Sequence, residues 1–157
     1  MSENLTLRLT RTIKASRMRA YEAWTQPEAL MRWFAPGPMN PQSATVDLRE
    51  TGRFRLAMAG PSPRTGQEMN ITFTGTYQEI VAGSLLRFSW EVEGDPGDPT
   101  LVTVEFKDVE GGTEVALTHE RIPNQELLNR NKMGWGGMLE KLAAACEERE
   151  AVTAASR

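Results

Sequence analysis

A single cysteine, Cys146, and a single histidine, His119, stand in 157 residues, and no apolar run exceeds a few residues. The cysteine has no partner for an internal disulfide, and two such residues far apart in sequence cannot supply the nitrogen and sulfur ligands of a zinc site. No metal is expected. A membrane-spanning helix needs ~18 or more successive apolar residues, so no such span is expected either. The opening MSENLTLRLT lacks the basic region and long apolar stretch of a secretory signal. Together with the unpaired cysteine, this points to the cytoplasm. Basic runs are missing as well: the net charge is -3 and the pI is near 5.3. Nucleic acid is therefore not an expected partner. Arg8, Arg11, Arg17 and Arg19 do cluster, but they alternate with apolar or threonine residues and read as a solvated strand face.

Other signatures fail on spacing. EGDPGDPT does not have the ligand positions of an EF-hand calcium loop and reads as a hairpin turn. GWGGM lacks the G-x-G-x-x-G spacing and the strand-to-helix context of a dinucleotide site. No cofactor is expected.

What the chain does have is two periodicities. LTLRLTRTI alternates apolar and polar residues as a half-buried strand does. SRMRAYEAWT follows, with Ser16 as a helix cap and Met18, Tyr21 and Trp24 on one helical face. Pro27 opens a second short helix expected to run to about Phe34, and APGPMNP ends it. Six strands are then predicted in SATVDLR, GRFRLAM, MNITFTGTYQEI, SLLRFSWEV, TLVTVEFKD and GTEVALTHE, joined by short turns that imply antiparallel neighbours. Last comes a long helix capped by Asn124, with Leu128, Trp135, Leu139, Leu142 and Cys146 on one stripe, and a tail over residues 148–157 expected to fray. This is one α+β domain over residues 1–157, a seven-stranded antiparallel sheet covered by the C-terminal helix.

Alternation also assigns faces. Phe54, Leu56 and Met58 share one, as do Ile71, Phe73 and Tyr77, then Leu86, Phe88 and Trp90, Val102, Val104 and Phe106, and Val115, Leu117 and His119. A curved sheet is not filled evenly by one straight helix, so a cavity between them is expected. WTQPEALMRWFAPGPM concentrates apolar bulk where regular structure stops. Trp33, Phe34 and Met39 serve there either as a lid over the cavity or as a plain seal of the core. Met58, Met69, Met133 and Met138 are candidates for an adaptable lining or for ordinary gap filling. The glycines of GWGGM each cost about 1 kcal/mol in a helix interior. They permit close packing, a kink or room beside Trp135, unless the helix starts only near Gly137.

These stretches resemble a known family. ASRMRAYEAWTQPEALMRWFAP, VDLRETGRFRLAM, TGTYQEIVAGSLLRFSWE, GGTEVALTHERI and GWGGMLEKL are similar to small bacterial members of the family related to the C-terminal domain of the activator of heat-shock protein 90 ATPase. That family lies in the START-like, polyketide-cyclase-like (SRPBCC) superfamily, and the resemblance covers residues 5 to 147. It implies a helix-grip fold with a hydrophobic cavity for a lipid-like, polyketide-like or aromatic molecule. In the eukaryotic activators an additional N-terminal domain contacts the chaperone; this chain leaves no room for one, which turns the expectation away from a chaperone role.

The expected function is binding of a small hydrophobic molecule between sheet and C-terminal helix. The candidate ligand-binding residues are Trp33, Phe34, Met58, Phe73, Tyr77, Phe88, Trp90, His119, Trp135, Met138 and Leu139. His119 and Tyr77 are candidates for orienting the ligand. The alternatives are a cyclase- or hydrolase-type enzyme using the same cavity, with His119 as its only possible histidine base, and a chaperone cofactor or homodimeric interaction module. No catalytic residue is assigned. Asp47, Arg49 and Glu50 read either as a polar rim or as a surface ion-pair cluster.

Overall fold

A computed structural model describes residues 4–95 and 97–155; residues 1–3, Pro96 and residues 156–157, which fall in the leading segment, the acidic turn and the tail, lie outside the described residues. The elements run β1 (Leu5–Ile13), α1 (Arg17–Thr25), α2 (Pro27–Leu30), β2 (Asn40–Val46), β3 (Arg53–Pro61), β4 (Glu68–Val81), β5 (Leu85–Val92), β6 (Thr100–Val109), β7 (Gly112–Ile122) and α3 (Gln125–Ala155). One seven-stranded antiparallel sheet has the order β1-β7-β6-β5-β4-β3-β2. The short turns produce a meander from β2 to β7, and the first strand returns beside the last. This is the helix-grip α+β arrangement.

Local chemistry sets the helix ends. The Ser16 hydroxyl accepts from the Arg19 amide at 3.2 Å, and the Asn124 side chain accepts from the Leu127 amide at 2.8 Å, so both expected caps are formed. Pro27 occupies the first turn of α2, where its missing N–H costs nothing. That helix stops at Leu30, short of the expected Phe34. Arg32 N bonds to Ala29 O and Trp33 N to Leu30 O, the tighter three-residue turns by which the chain unwinds ahead of Pro36.

α3 starts at Gln125, as the Asn124 cap implies, and runs through GWGGM, so of the two readings the start near Gly137 falls away. A Cβ built on Gly134, Gly136 or Gly137 meets nothing within 4 Å, so close packing does not require these glycines. Replacing exposed Gly137 by alanine is expected to raise stability by about 0.5 to 1 kcal/mol, measured by urea unfolding. α3 continues to Ala155. Its late turns are tied down where Glu147 accepts from the Lys14 amide at 3.0 Å and Glu150 from the Ser16 amide at 2.8 Å.

The concave face of the sheet carries the alternating set the sequence implies: Phe54, Leu56, Met58, Leu86, Phe88, Trp90, Val102, Val104, Phe106, Val115, Leu117 and His119 are all buried. Exposed ion pairs lie elsewhere, among them Arg55 with Glu93 and Arg87 with Glu79. Asp47 and Arg49 pair at 2.9 Å with both side chains largely in water, the surface cluster rather than a rim. Gly75 is required by space: a Cβ there would lie 1.9 Å from Ser89 O and 2.5 Å from the Phe54 ring, directly opposite in the ladder. Gly75→Ala is expected to destabilise by about 1 to 3 kcal/mol or more, read by thermal unfolding, because the obstructing atom is backbone.

The helices divide the concave face. α3 packs on β1 and β7 and against α1, α1 reaches β6 and β7, and α2 sits on β2. The backbone of the C-terminal helix comes nearest to β1 and β7, and its Trp135 reaches Trp90 of β5, while α2 lies over β2.

Candidate functional site

A small, half-open cavity lies beneath α2. Its walls are Trp24 of α1, Leu30 of α2, Phe34 after it, Phe54 and Leu56 of β3, Tyr77 of β4, and Phe88 and Trp90 of β5. Its volume is about 20 Å³, room for one water molecule and far below the ~300 Å³ or more typical of small-molecule pockets. Four sequence candidates, Phe34, Tyr77, Phe88 and Trp90, belong to the wall. Trp33, Met58, Phe73, His119, Trp135, Met138 and Leu139 do not line it.

No residue of α3 lines this small cavity. Trp135 instead backs the wall, with its ring centroid 5.9 Å from Trp24, 6.0 Å from Phe34 and 5.1 Å from Trp90. Met58 and Met138 are buried in the core, whereas Met69 and Met133 are exposed and line nothing internal. Trp24, Leu30, Phe54 and Leu56 are the wall residues outside the candidate set. Phe54 and Leu56 carried the signal, sharing the alternating face of Met58. Met18, grouped with Trp24 on one face of α1, is half exposed; the buried side of that helix is Ala20, Tyr21, Ala23 and Trp24.

Closure depends on the chain from Leu30 to Met39. Leu30, Trp33, Phe34, Ala35 and Met39 are all buried, so this segment seals the core. The Trp33 indole donates to Ala23 O at 2.9 Å, fixing the segment to α1. From α3, the Lys141 ammonium donates to Ala35 O and Gly37 O, both at 2.6 Å. Burial holds the Lys141 pKa below its usual value. Gly37 adopts a φ of 55° and passes so close to Pro63 that a Cβ would stand 2.8 Å from that ring, a conformation glycine accepts readily. Lys141→Met keeps the stem and removes both donated bonds. Hydrogen exchange at the Ala35 and Met39 amides is expected to quicken about tenfold.

His119 sits at the back of this region and is completely buried. Trp135 Nε1, which can only donate, lies 3.1 Å from His119 Nδ1. The imidazole therefore carries its proton on Nε2, which donates to Thr100 Oγ1 at 2.7 Å, and the Thr100 hydroxyl donates in turn to Trp90 O at 3.2 Å. Desolvation lowers the His119 pKa to about 4. Both ring nitrogens are thus committed to a chain of donors that fixes Trp135 and the Trp90 backbone. No lone pair is left to take a substrate proton, so general-base work by His119 has no geometric basis in this arrangement. Tyr77 forms no side-chain hydrogen bond among the described residues, and burial raises its pKa. Buried Cys146, pushed up to about 12 by desolvation, is an unreactive thiol. Among the described residues no group of three or more His, Cys, Asp and Glu is placed to hold a metal ion, and no helix is long and apolar enough to cross a membrane.

The family model of activator of Hsp90 ATPase homolog 1-like proteins matches residues 14–147. The chain belongs to this family. Members of the activator of Hsp90 ATPase homolog 1-like family share the START-like architecture described above. A crystal structure of a protein from Chromobacterium violaceum is 26% identical, covers 90% of this chain and 96% of its own, and superposes with a TM-score of 0.79. An AHSA1-like protein from Aeromonas hydrophila, solved in solution, is 24% identical over 93% of this chain and 94% of its own, with a TM-score of 0.72. An AHSA1 protein from Silicibacter pomeroyi reaches 0.76 at 20% identity, covering 89% of this chain and 96% of its own; these two likenesses speak to the fold alone. No curated protein matches the chain.

Proposed function

We propose that this member of the activator of Hsp90 ATPase homolog 1-like family binds a small hydrophobic molecule, aromatic or lipid-like, in the space beneath α2. The observation that carries the reading is the wall itself: eight aromatic or aliphatic residues, none of them charged, enclose a remnant cavity of about 20 Å³ under a segment that hangs from Lys141 and Trp33. Phe34, Tyr77, Phe88 and Trp90 contact the ligand, together with Trp24, Leu30, Phe54 and Leu56. Trp33 holds the segment, and Trp135 with His119 supports the wall from behind.

Magnitudes favour a ligand of ring size or larger. Swinging Phe34 out of the core costs about 1.5 to 3 kcal/mol. A ligand that removes about 200 Å² of apolar surface from water returns about 5 kcal/mol at 25 cal/mol per Å². Closed and open forms thus lie close enough for a ligand to select the open one, limited by its differential affinity. Binding without turnover is preferred to a cyclase or hydrolase role, because His119 is engaged on both sides.

Native mass spectrometry of protein purified gently from its source cell tests this. A reproducible added mass that is lost in a folded Leu56→Trp variant, whose larger ring fills the space, is the expected result. Bare monomer from cell-derived protein and from protein incubated with lipid extract would contradict it, and bare dimer would support the interaction-module alternative.

A further inference from the structure

One wall residue has an unmet chemical need. The Trp24 indole nitrogen is buried with no hydrogen-bond partner, the one buried side-chain nitrogen or oxygen so found among the described residues. Its neighbours differ: Trp33 donates to Ala23 O and Trp135 to His119 Nδ1. An orphaned buried donor costs about 1 to 3 kcal/mol. An aromatic residue without the N–H would line the same wall without that cost.

Resting on the binding role proposed above, we infer that the ligand is an uncharged molecule bearing a hydrogen-bond acceptor, such as a ketone, ester, lactone or ether oxygen, and that Trp24 selects for it. An indole N–H donates and never accepts, so it recognises a lone pair and gives nothing to a ligand that offers only donors. Tyr77, on the same wall and without a side-chain hydrogen bond among the described residues, can take a second polar group as donor or acceptor. No cationic residue lines the cavity, so a carboxylate or phosphate would be buried without a counter-charge. The apolar wall supplies the affinity, and the Trp24 donor distinguishes an oxygenated ring from a plain hydrocarbon of the same shape.

The test uses acetophenone and ethylbenzene, which differ by a carbonyl in place of a methylene, with benzoate as the charged counterpart. Dissociation constants for wild type and Trp24→Phe come from indole proton–nitrogen spectra. The preference for acetophenone relative to ethylbenzene is expected to fall about tenfold in the variant, the loss of one hydrogen bond. In wild type, acetophenone should move the Trp24 N–H proton downfield and ethylbenzene should not, a readout that needs no variant to fold. Benzoate should not compete. If both neutral probes bind but the ratio and the Trp24 shift are indifferent to the carbonyl, or benzoate competes equally, the inference fails and the apolar site stands. If neither neutral probe binds, the binding role fails and takes the inference with it.

Discussion

Trp135→Ala is expected to lower the stability of the protein by about 3 to 5 kcal/mol, and Trp135→Phe by about 1 to 3 kcal/mol, both measured by urea unfolding at neutral pH. The alanine loses a large fully buried side chain that touches Trp24, Phe34 and Trp90 and leaves the wall of the cavity without backing. The phenylalanine retains much of that packing and removes only the indole donor. His119 Nδ1 then remains buried with its lone pair unmet, which is why the smaller change still carries a definite cost. Equal effects from the two substitutions would mean that the hydrogen bond to His119 dominates over packing, contrary to this account.

Acidification should destabilise the fold through His119. Its folded pKa, about 4, lies below the value near 6.5 expected in the unfolded chain. The unfolded state therefore binds the proton first as the pH falls. The contribution is fully present above pH 6.5 and is lost at up to about 1.4 kcal/mol per pH unit on the way down, about 3 kcal/mol in all by pH 4. Protonation at Nδ1 would set two donors against each other, since Trp135 already occupies that position. His119→Gln removes the titration and leaves the carboxylates in place, so the measured quantity is the difference in slope between wild type and variant. Parallel stability curves between pH 6.5 and 4.5 would show that the imidazole is not held neutral.

How much of this could be read from the chain differs by level. The strands, both caps and the buried face were legible because they depend on near neighbours: alternation puts Leu86, Phe88 and Trp90 on one side whatever lies across from them. Which element covers which part of the sheet was not, because that depends on crossing geometry. The small cavity beneath α2 accordingly has Trp24 and Leu30 in its wall, two residues outside the candidate set. Met18 shows the same limit, since its spacing from Tyr21 satisfied the helical period yet left the side chain half in water. Lys141 carried no signal at all. A lysine on a polar helix position looks solvated until the fold brings Ala35 O and Gly37 O to it. The lone histidine was visible as a candidate, but its role depended on Trp135 and Thr100, residues 16 and 19 positions away.

The most direct test of the central claim is to titrate the labelled wild-type protein with ethylbenzene while following its four indole N–H resonances. The account predicts saturable ring-current shifts of the Trp24 and Trp90 signals, the two indoles that line the cavity, larger than those of Trp33 and Trp135 behind it and without the downfield hydrogen-bond shift that a carbonyl brings at Trp24. No saturable shift at any indole, or shifts confined to residues outside the wall, would contradict a ligand site beneath α2.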